Sequence, residues 1–211
     1  MRPRREEGAI PRSSRLWGGV GFLFDGRDFP GNPTGGLLLR LGVEYGERKT
    51  EEEPDRGIEG ESRRQATLDG RIGLYRSLRR RNVVAWEVEG IARFTDAPFV
   101  PLYDQFYVGG ARTLRGYDED QFLGSRLAWS RLEYRYLLGA LSRVFLFADT
   151  GYIFSRREEG ERVVLSERLK TGYGFGLRVD SAIGILGVDY GLGEGDSFAD
   201  GKVHVSVEGD F

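Results

Sequence analysis

Apolar and polar residues alternate with a period of two along most of the chain. In one segment Leu39, Leu41 and Val43 fall on one side of the backbone, and Arg40 and Glu44 fall on the other. Such alternation is typical of β-strands with two different faces. The pattern recurs at residues 66–75, 84–94, 131–138, 172–179 and 203–211, and more weakly at 19–25, 143–154 and 185–192. It predicts an all-β, antiparallel protein of about 8–10 strands without a convincing helix.

Two polar segments, residues 48–64 and 155–170, interrupt this pattern and are interpreted as loops. The first 16 residues carry little pattern, so we predict two regions: residues 1–16, a poorly patterned N-terminal segment, and residues 17–211, the β-domain.

Alternation alone does not show which face is buried. A soluble sandwich hides its apolar face, whereas a transmembrane barrel turns that face to lipid and lines its lumen with polar groups. Two details favour the transmembrane β-barrel. The polar faces are rich in glycine and in opposite charges, as a crowded interior requires. Aromatic residues gather near strand ends, as membrane interfaces favour: Tyr45, Phe94, Tyr134, Tyr136, Tyr152, Phe154, Tyr173 and Tyr190.

Composition excludes several classes of site. The 211 residues include no cysteine and one histidine, His204, so thiolate metal sites and a Ser-His-Asp triad lack their components. The net charge of −2 comes from mixed signs and gives no basic face for nucleic acid. The Gly172-x-Gly174-x-Gly176 string has no strand–turn–helix context and is not interpreted as a nucleotide loop. We therefore predict no catalytic residue, no metal, no cofactor and no nucleic-acid partner.

The most specific string runs from Gly109 to Tyr117 and contains Leu-Arg-Gly-Tyr. Alone it would be a glycine-rich loop with a solvated arginine. It is followed by Leu132-Glu133-Tyr134, then by the Phe-Ala-Asp-Thr-Gly string of residues 147–151, and the chain ends on Phe211. In this order the motifs resemble the bacterial surface antigen, or BamA-type, barrel superfamily, which inserts or exports proteins at the bacterial outer membrane.

The resemblance implies a specific role for this loop. It would fold back into the barrel lumen, where the tip arginine meets acidic residues on the next two strands. The implied loop-to-barrel contact comprises Arg115, Gly116, Tyr117, Glu133 and Asp149, with support from Gly109, Gly110, Phe147 and Gly151. The period-two pattern independently places Glu133 and Asp149 on the polar faces of their strands.

The resemblance extends beyond the loop. Residues 25–36 resemble the Asp-x-Arg-Asp and Pro-Thr-x-Gly junction of the family, and residues 184–190 its penultimate hairpin. Residues 17–211 would then form the C-terminal part of a barrel of sixteen strands. Phe211 fits a C-terminal outer-membrane targeting signal, although Gly209 departs from the usual bulky residue. Because Met1 is not followed by a signal peptide, we expect the chain to be part of a longer product.

The function implied is assembly, insertion or translocation of outer-membrane proteins by a non-enzymatic, integral protein of the bacterial outer membrane. Its expected partners are outer-membrane lipid, unfolded outer-membrane protein substrates, and periplasmic chaperones or accessory lipoproteins. Two alternatives remain. One is a self-contained small barrel acting as a pore or adhesin, for which about nine strands is awkward because bacterial barrels have even numbers. The other is the barrel of a two-partner secretion or patatin-linked transporter.

Overall fold

The computed structural model describes residues 12–50, 60–159 and 162–208. These residues form β-strands joined by turns, with two short 3-10 turns at Leu102–Asp104 and Phe198–Asp200. The strands are β1 (Ser13–Asp25), β2 (Gly35–Thr50), β3 (Glu61–Arg79), β4 (Asn82–Thr95), β5 (Phe106–Val108), β6 (Phe122–Gly124), β7 (Arg126–Leu137), β8 (Arg143–Glu159), β9 (Arg162–Ser181), β10 (Gly184–Gly193) and β11 (Lys202–Glu208). No helix in the described ranges is long and apolar enough to cross a membrane.

Nine of these strands form one antiparallel sheet in the order β1-β2-β3-β4-β7-β8-β9-β10-β11. Each strand pairs with its neighbour in sequence, except that the β5–β6 hairpin lies between β4 and β7 as a separate two-stranded sheet. This confirms the predicted all-β antiparallel fold. The first strand begins at Ser13, ahead of the boundary predicted at residue 17.

The predicted barrel does not close within the described residues. β1 pairs with β2 and β11 pairs with β10, and both are edges of an open sheet. In an up-and-down sheet of nine strands the first and last run in the same direction, so these strands alone could close only through a parallel pair.

The apolar face of the sheet points outward, as predicted for a barrel and opposite to a soluble sandwich. Val203 and Val205 on β11 are 64% and 72% exposed, whereas His204 between them is buried. Glu87 and Arg131, on the charged side of β4 and β7, lie inside and are bonded at 2.8 Å. The alternation in the sequence therefore separates an apolar exterior from a charged interior.

Within the described residues, the two segments predicted as polar loops are strand except at residue 60. β2 continues to Thr50 and β3 starts at Glu61, while β8 and β9 reach Glu159 and Arg162. The prediction was wrong because a β-ladder is held by backbone hydrogen bonds, which do not require an apolar face. Residues 51–59, 160 and 161 lie outside the described residues.

The turn between β1 and β2 folds inward across one end of the sheet. The Asp28 carboxylate accepts hydrogen bonds from the backbone N–H of Phe29 and of Thr34 and from the Thr34 hydroxyl. The buried Asn32 side chain then donates to the backbone oxygen of Ala140, in the turn between β7 and β8, at 3.0 Å. Contact between two turns so far apart in strand order shows that the sheet is curled around its charged face.

Candidate functional site

The long segment between β4 and β7 folds back onto the inner face of the sheet. Its β5–β6 hairpin brings apolar side chains against the wall, where Leu127 of β7 and Ile153 of β8 complete a buried cluster. The loop residues of that cluster are Val108, Leu114, Tyr117 and Phe122. Burial of this apolar surface fixes the body of the loop inside the curled sheet. We call residues 96–125 the re-entrant loop.

A tight turn aims the tip of the re-entrant loop. Gly109 and Gly110 have φ angles of +132° and +92°, in the region that side chains other than glycine rarely adopt. The Thr113 hydroxyl donates to the Gly109 oxygen and accepts from the Gly109 N–H. The backbone conformation therefore explains why glycine occupies the predicted support positions Gly109 and Gly110.

The guanidinium of Arg115 lies between two carboxylates of the wall. Its Nε and Nη2 donate to Asp149 on β8, each at 2.8 Å, and its Nη1 donates to Glu133 on β7 at 2.7 Å. The Arg115 backbone N–H also donates to Asp149, at 3.1 Å. Arg115 is 1% exposed. A forked guanidinium matches this arrangement of acceptors in a way that a lysine ammonium does not. We call these three residues the Arg115 anchor.

Two further predicted residues contact the tip. The Phe147 ring lies under the guanidinium, with 3.7 Å from its centroid to Arg115 Cζ. Gly151 leaves room for the buried side chain of Leu114, because an added Cβ would lie 2.9 Å from a Leu114 methyl. The structure thus brings together all of the predicted loop residues and their predicted wall residues.

The backbone of the tip rests on a groove of glycines that the sequence analysis did not assign to the site. Gly116 has a φ of +91°, and a Cβ there would lie 2.5 Å from the Leu192 carbonyl. A Cβ on Gly172 or Gly191 would lie 1.9 Å or 2.6 Å from the tip backbone. The sequence does show glycines at alternate positions of β9 and β10, on the inner faces of these strands. It does not show that the backbone of the loop tip packs against them.

Tyr117 completes the docking of the tip. Its hydroxyl donates to the Thr171 oxygen at 2.8 Å and accepts from the backbone N–H of Glu194 at 3.0 Å. The ring packs edge-on against Phe122, with 5.1 Å between centroids. Tyr117 therefore links the loop to β9 and to the end of β10.

A second anchor, also missed, holds the other end of the re-entrant loop. The Asp104 carboxylate is buried and accepts from Arg48 Nη1 at 2.6 Å and from Gln65 Nε2 at 3.1 Å. Arg93 Nη1 donates to the Asp104 backbone oxygen at 2.7 Å. We call these four residues the Asp104 anchor. The sequence analysis missed this anchor because Arg48 falls in a segment predicted to be a loop.

Other predicted features lie elsewhere. Phe211, the proposed targeting residue, lies outside the described residues. His204 faces inward on β11, and its Nδ1 is 3.7 Å from the Glu119 carboxylate of the loop.

The arrangement of charges is suited to positioning. A buried ion pair gains Coulomb energy but loses hydration, so its net contribution to stability is small, while loss of one partner leaves an uncompensated charge. The Arg115 anchor thus fixes one position of the loop against the wall rather than supplying a reactive group.

Comparison with known families agrees with this geometry. The Omp85 superfamily domain matches residues 9–204. The chain belongs to the Omp85 superfamily. This family comprises non-enzymatic outer-membrane proteins that insert or translocate other proteins, and the resemblance seen in the motifs is confirmed. No curated protein matches the chain.

Proposed function

We propose that this Omp85 domain is a wall segment of a BamA-type barrel, integral to the bacterial outer membrane, that supports assembly and insertion of outer-membrane proteins. The observation that carries the proposal is the re-entrant loop, bound by the Arg115 anchor inside a wall whose exposed side is apolar. An apolar exterior suits a bilayer, and a loop held inside the wall is available to the interior rather than to a partner outside.

The open sheet supports a larger barrel. β1 and β11 run in the same direction and each has one free edge in the described part of the chain. Exposed edges of this kind pair readily with additional strands. We propose that such pairing completes a sixteen-stranded barrel, and that the same kind of edge pairing receives unfolded outer-membrane protein substrates.

The proposed partners follow from the two surfaces. The apolar exterior would contact outer-membrane lipid, and the strand edges would contact substrate chains. Periplasmic chaperones or accessory lipoproteins are proposed to deliver those substrates.

Depletion of the native gene product, followed by complementation, tests the function. Wild-type protein should restore the amounts of several unrelated outer-membrane proteins, whereas Asp149→Ala should restore them poorly at equal abundance in the outer membrane. Loss of a single secreted protein, with normal levels of the others, would instead identify a dedicated transporter. Normal levels of all of them would contradict the proposal.

Membrane fractionation provides the structural arm of the test. The protein should be found in the outer membrane and should show a heat-dependent change in gel mobility, as closed barrels do. Recovery in the soluble fraction would contradict the proposed location.

A further inference from the structure

Four arginines are concentrated at the turn between β3 and β4. Arg76 and Arg79 are in the last rows of β3, and Arg80 and Arg81 form the two-residue turn that follows. All four side chains are exposed. In the part of the chain that the structure describes, none of the four guanidinium groups forms an ion pair. The turn therefore presents four positive charges that the described residues do not neutralise.

The strand register places these arginines at the level of an aromatic row. Two strands along from β3, on β7, Tyr134 is in the row of Arg76 and Tyr136 is in the row of Arg79. Both tyrosines are exposed on the outer face of the sheet. Outward tyrosines near strand ends are typical of the boundary between the hydrocarbon of a bilayer and its headgroups. The two turn residues lie beyond this row, at the depth of the headgroups.

A shift in register turns Arg79 to the outer face. The pairing of β3 with β4 shifts by one residue between Ser77 and Arg79, as in a β-bulge, and Arg79 then pairs with Asn82. Directly paired residues share a face of an antiparallel sheet. Asn82 belongs to the outer face, where its Oδ1 accepts from the Tyr134 hydroxyl at 2.9 Å. Arg79 therefore faces outward, whereas strict alternation would place it inside.

The outer face next to the arginines is apolar. Leu74 on β3 and its cross-strand partner Trp86 on β4 are 43% and 44% exposed. Leu78, beside the turn, is 55% exposed. An apolar surface that ends at a cluster of positive charge has the same order of groups as a phospholipid with a negatively charged headgroup.

The lengths of the connections identify the end of the sheet at which the arginines lie. Two-residue turns join β3 to β4 and β9 to β10 at this end, whereas the re-entrant loop leaves the sheet at the other end. In outer-membrane barrels the short turns are periplasmic and the longer loops are extracellular. In the proposed membrane location, the arginines therefore face the periplasmic leaflet.

From these observations we propose that the outer face at the β3–β4 turn binds an anionic phospholipid, with its phosphate at the arginines and its acyl chains along Leu74 and Trp86. Guanidinium groups form charge-assisted hydrogen bonds with phosphate oxygens. Clustered basic residues beside a membrane-spanning element also attract anionic lipid electrostatically. The inference rests on the proposed location in the membrane and not on the proposed role in assembly.

Quenching by brominated lipids tests the site in the full-length protein inserted into vesicles. A fluorophore on a cysteine introduced at Leu78 should be quenched at a lower mole fraction of brominated phosphatidylglycerol than of brominated phosphatidylcholine. Arg80→Gln/Arg81→Gln should reduce this preference roughly fivefold for each arginine removed. Arg80→Lys/Arg81→Lys should keep most of the preference, because the positive charges remain.

Arg126→Gln is the matched control. Arg126 is an exposed arginine at the opposite end of the sheet, where it stacks over the rings of Phe94 and Phe154. Its removal should leave the lipid preference at Leu78 unchanged. Inorganic phosphate, compared with chloride at equal ionic strength, should not compete, because it has no acyl chain to contact the apolar face.

Three results would overturn the inference: equal quenching of the wild-type reporter by the two lipids, an equal loss of preference in Arg126→Gln, or displacement of the lipid by inorganic phosphate. Quenching by neither lipid would contradict the membrane location itself, and this inference with it. The complementation test reports separately on the role in assembly, so failure of that role leaves the lipid preference in place.

Discussion

The two anchors of the re-entrant loop are electrostatic opposites. In the Arg115 anchor the loop supplies the cation and the wall supplies the carboxylates of Glu133 and Asp149. In the Asp104 anchor the loop supplies the carboxylate and the wall supplies arginines such as Arg48. The first anchor holds the loop to β7 and β8, and the second holds it to β2, β3 and β4.

This reversal of charge explains how one loop can hold two parts of a curled sheet. Because the signs are reversed, each end of the loop carries the charge that its own part of the wall attracts. The two contacts together tie distant strands of an open sheet. The anchors also differ in how well they are shielded from solvent. Arg115 is bonded to two carboxylates, and its backbone N–H donates to one of them. Asp104 instead lies 3.6 Å from Arg15, whose side chain is half-exposed.

The largest expected effect is that of Asp149→Ala. It leaves the buried guanidinium of Arg115 without its bidentate partner, which should lower the free energy of unfolding by about 3–5 kcal/mol. Urea titration in detergent measures this loss, and protease should then cut the loop. The double variant Arg115→Ala/Asp149→Ala should lose less than Asp149→Ala alone. A larger loss in the double variant would contradict a buried, uncompensated charge as the cause.

Gly116→Ala should have the next largest effect, about 2–3 kcal/mol, because a positive φ and a backbone clash act together. It should loosen the tip while the Asp104 anchor stays protected from protease. Gly195→Ala is the matched control, since Gly195 has a φ of +86° but no atom within 4 Å of an added Cβ. Equal losses in the two variants would show that strain, rather than docking of the tip on β10, determines the result.

Asp104→Ala should lower stability by about 1–3 kcal/mol, because it removes the acceptor of the buried donors of Arg48 and Gln65. The smaller loss is expected because Arg48 also donates to Ser13 and Arg93 still reaches the Asp104 backbone oxygen. The same urea titration compares it with Asp149→Ala. If the two variants lose equal stability, the prediction that the Arg115 anchor contributes more to stability than the Asp104 anchor is wrong.

The smallest effect should come from acid acting on the exposed turn between β1 and β2. The Thr34 hydroxyl, which donates to Asp28, lowers the pKa of that carboxyl from 3.8 to about 2. A depressed pKa in the folded state means that its stabilising contribution is complete above about pH 4 and is lost as pH falls through about 2. The Phe29 and Thr34 amides donate to Asp28, so their protection factors in hydrogen exchange should fall in that window, and they should not change there in Asp28→Asn. A fall near neutral pH would exclude this carboxyl as the cause.

The sequence identified one anchor and not the other for a physical reason. Glu133 and Asp149 fall on inward positions of strands whose alternation is clear, and the Arg-Gly-Tyr motif supplies their partner. Asp104 lies in a segment without periodicity, and its partner Arg48 lies 56 residues earlier in a polar stretch. Nothing local indicates that Arg48 belongs to a strand, because the polar stretch around it has no apolar face and its backbone pairs with strands distant in sequence.

Period-two alternation is a local property of the backbone, so the residues alone predicted most strands of the sheet and the two faces of each. The outward direction of the apolar face was favoured by aromatic and charged positions, and the residues of the Arg115 anchor were implied by the motif resemblance. Three features could be seen only in the folded chain: the described sheet stays open, glycines of β9 and β10 contact the loop tip, and Arg143 is the cross-strand partner of Arg178. These features depend on strand number, register and curl, which bring together residues that no spacing along the chain relates.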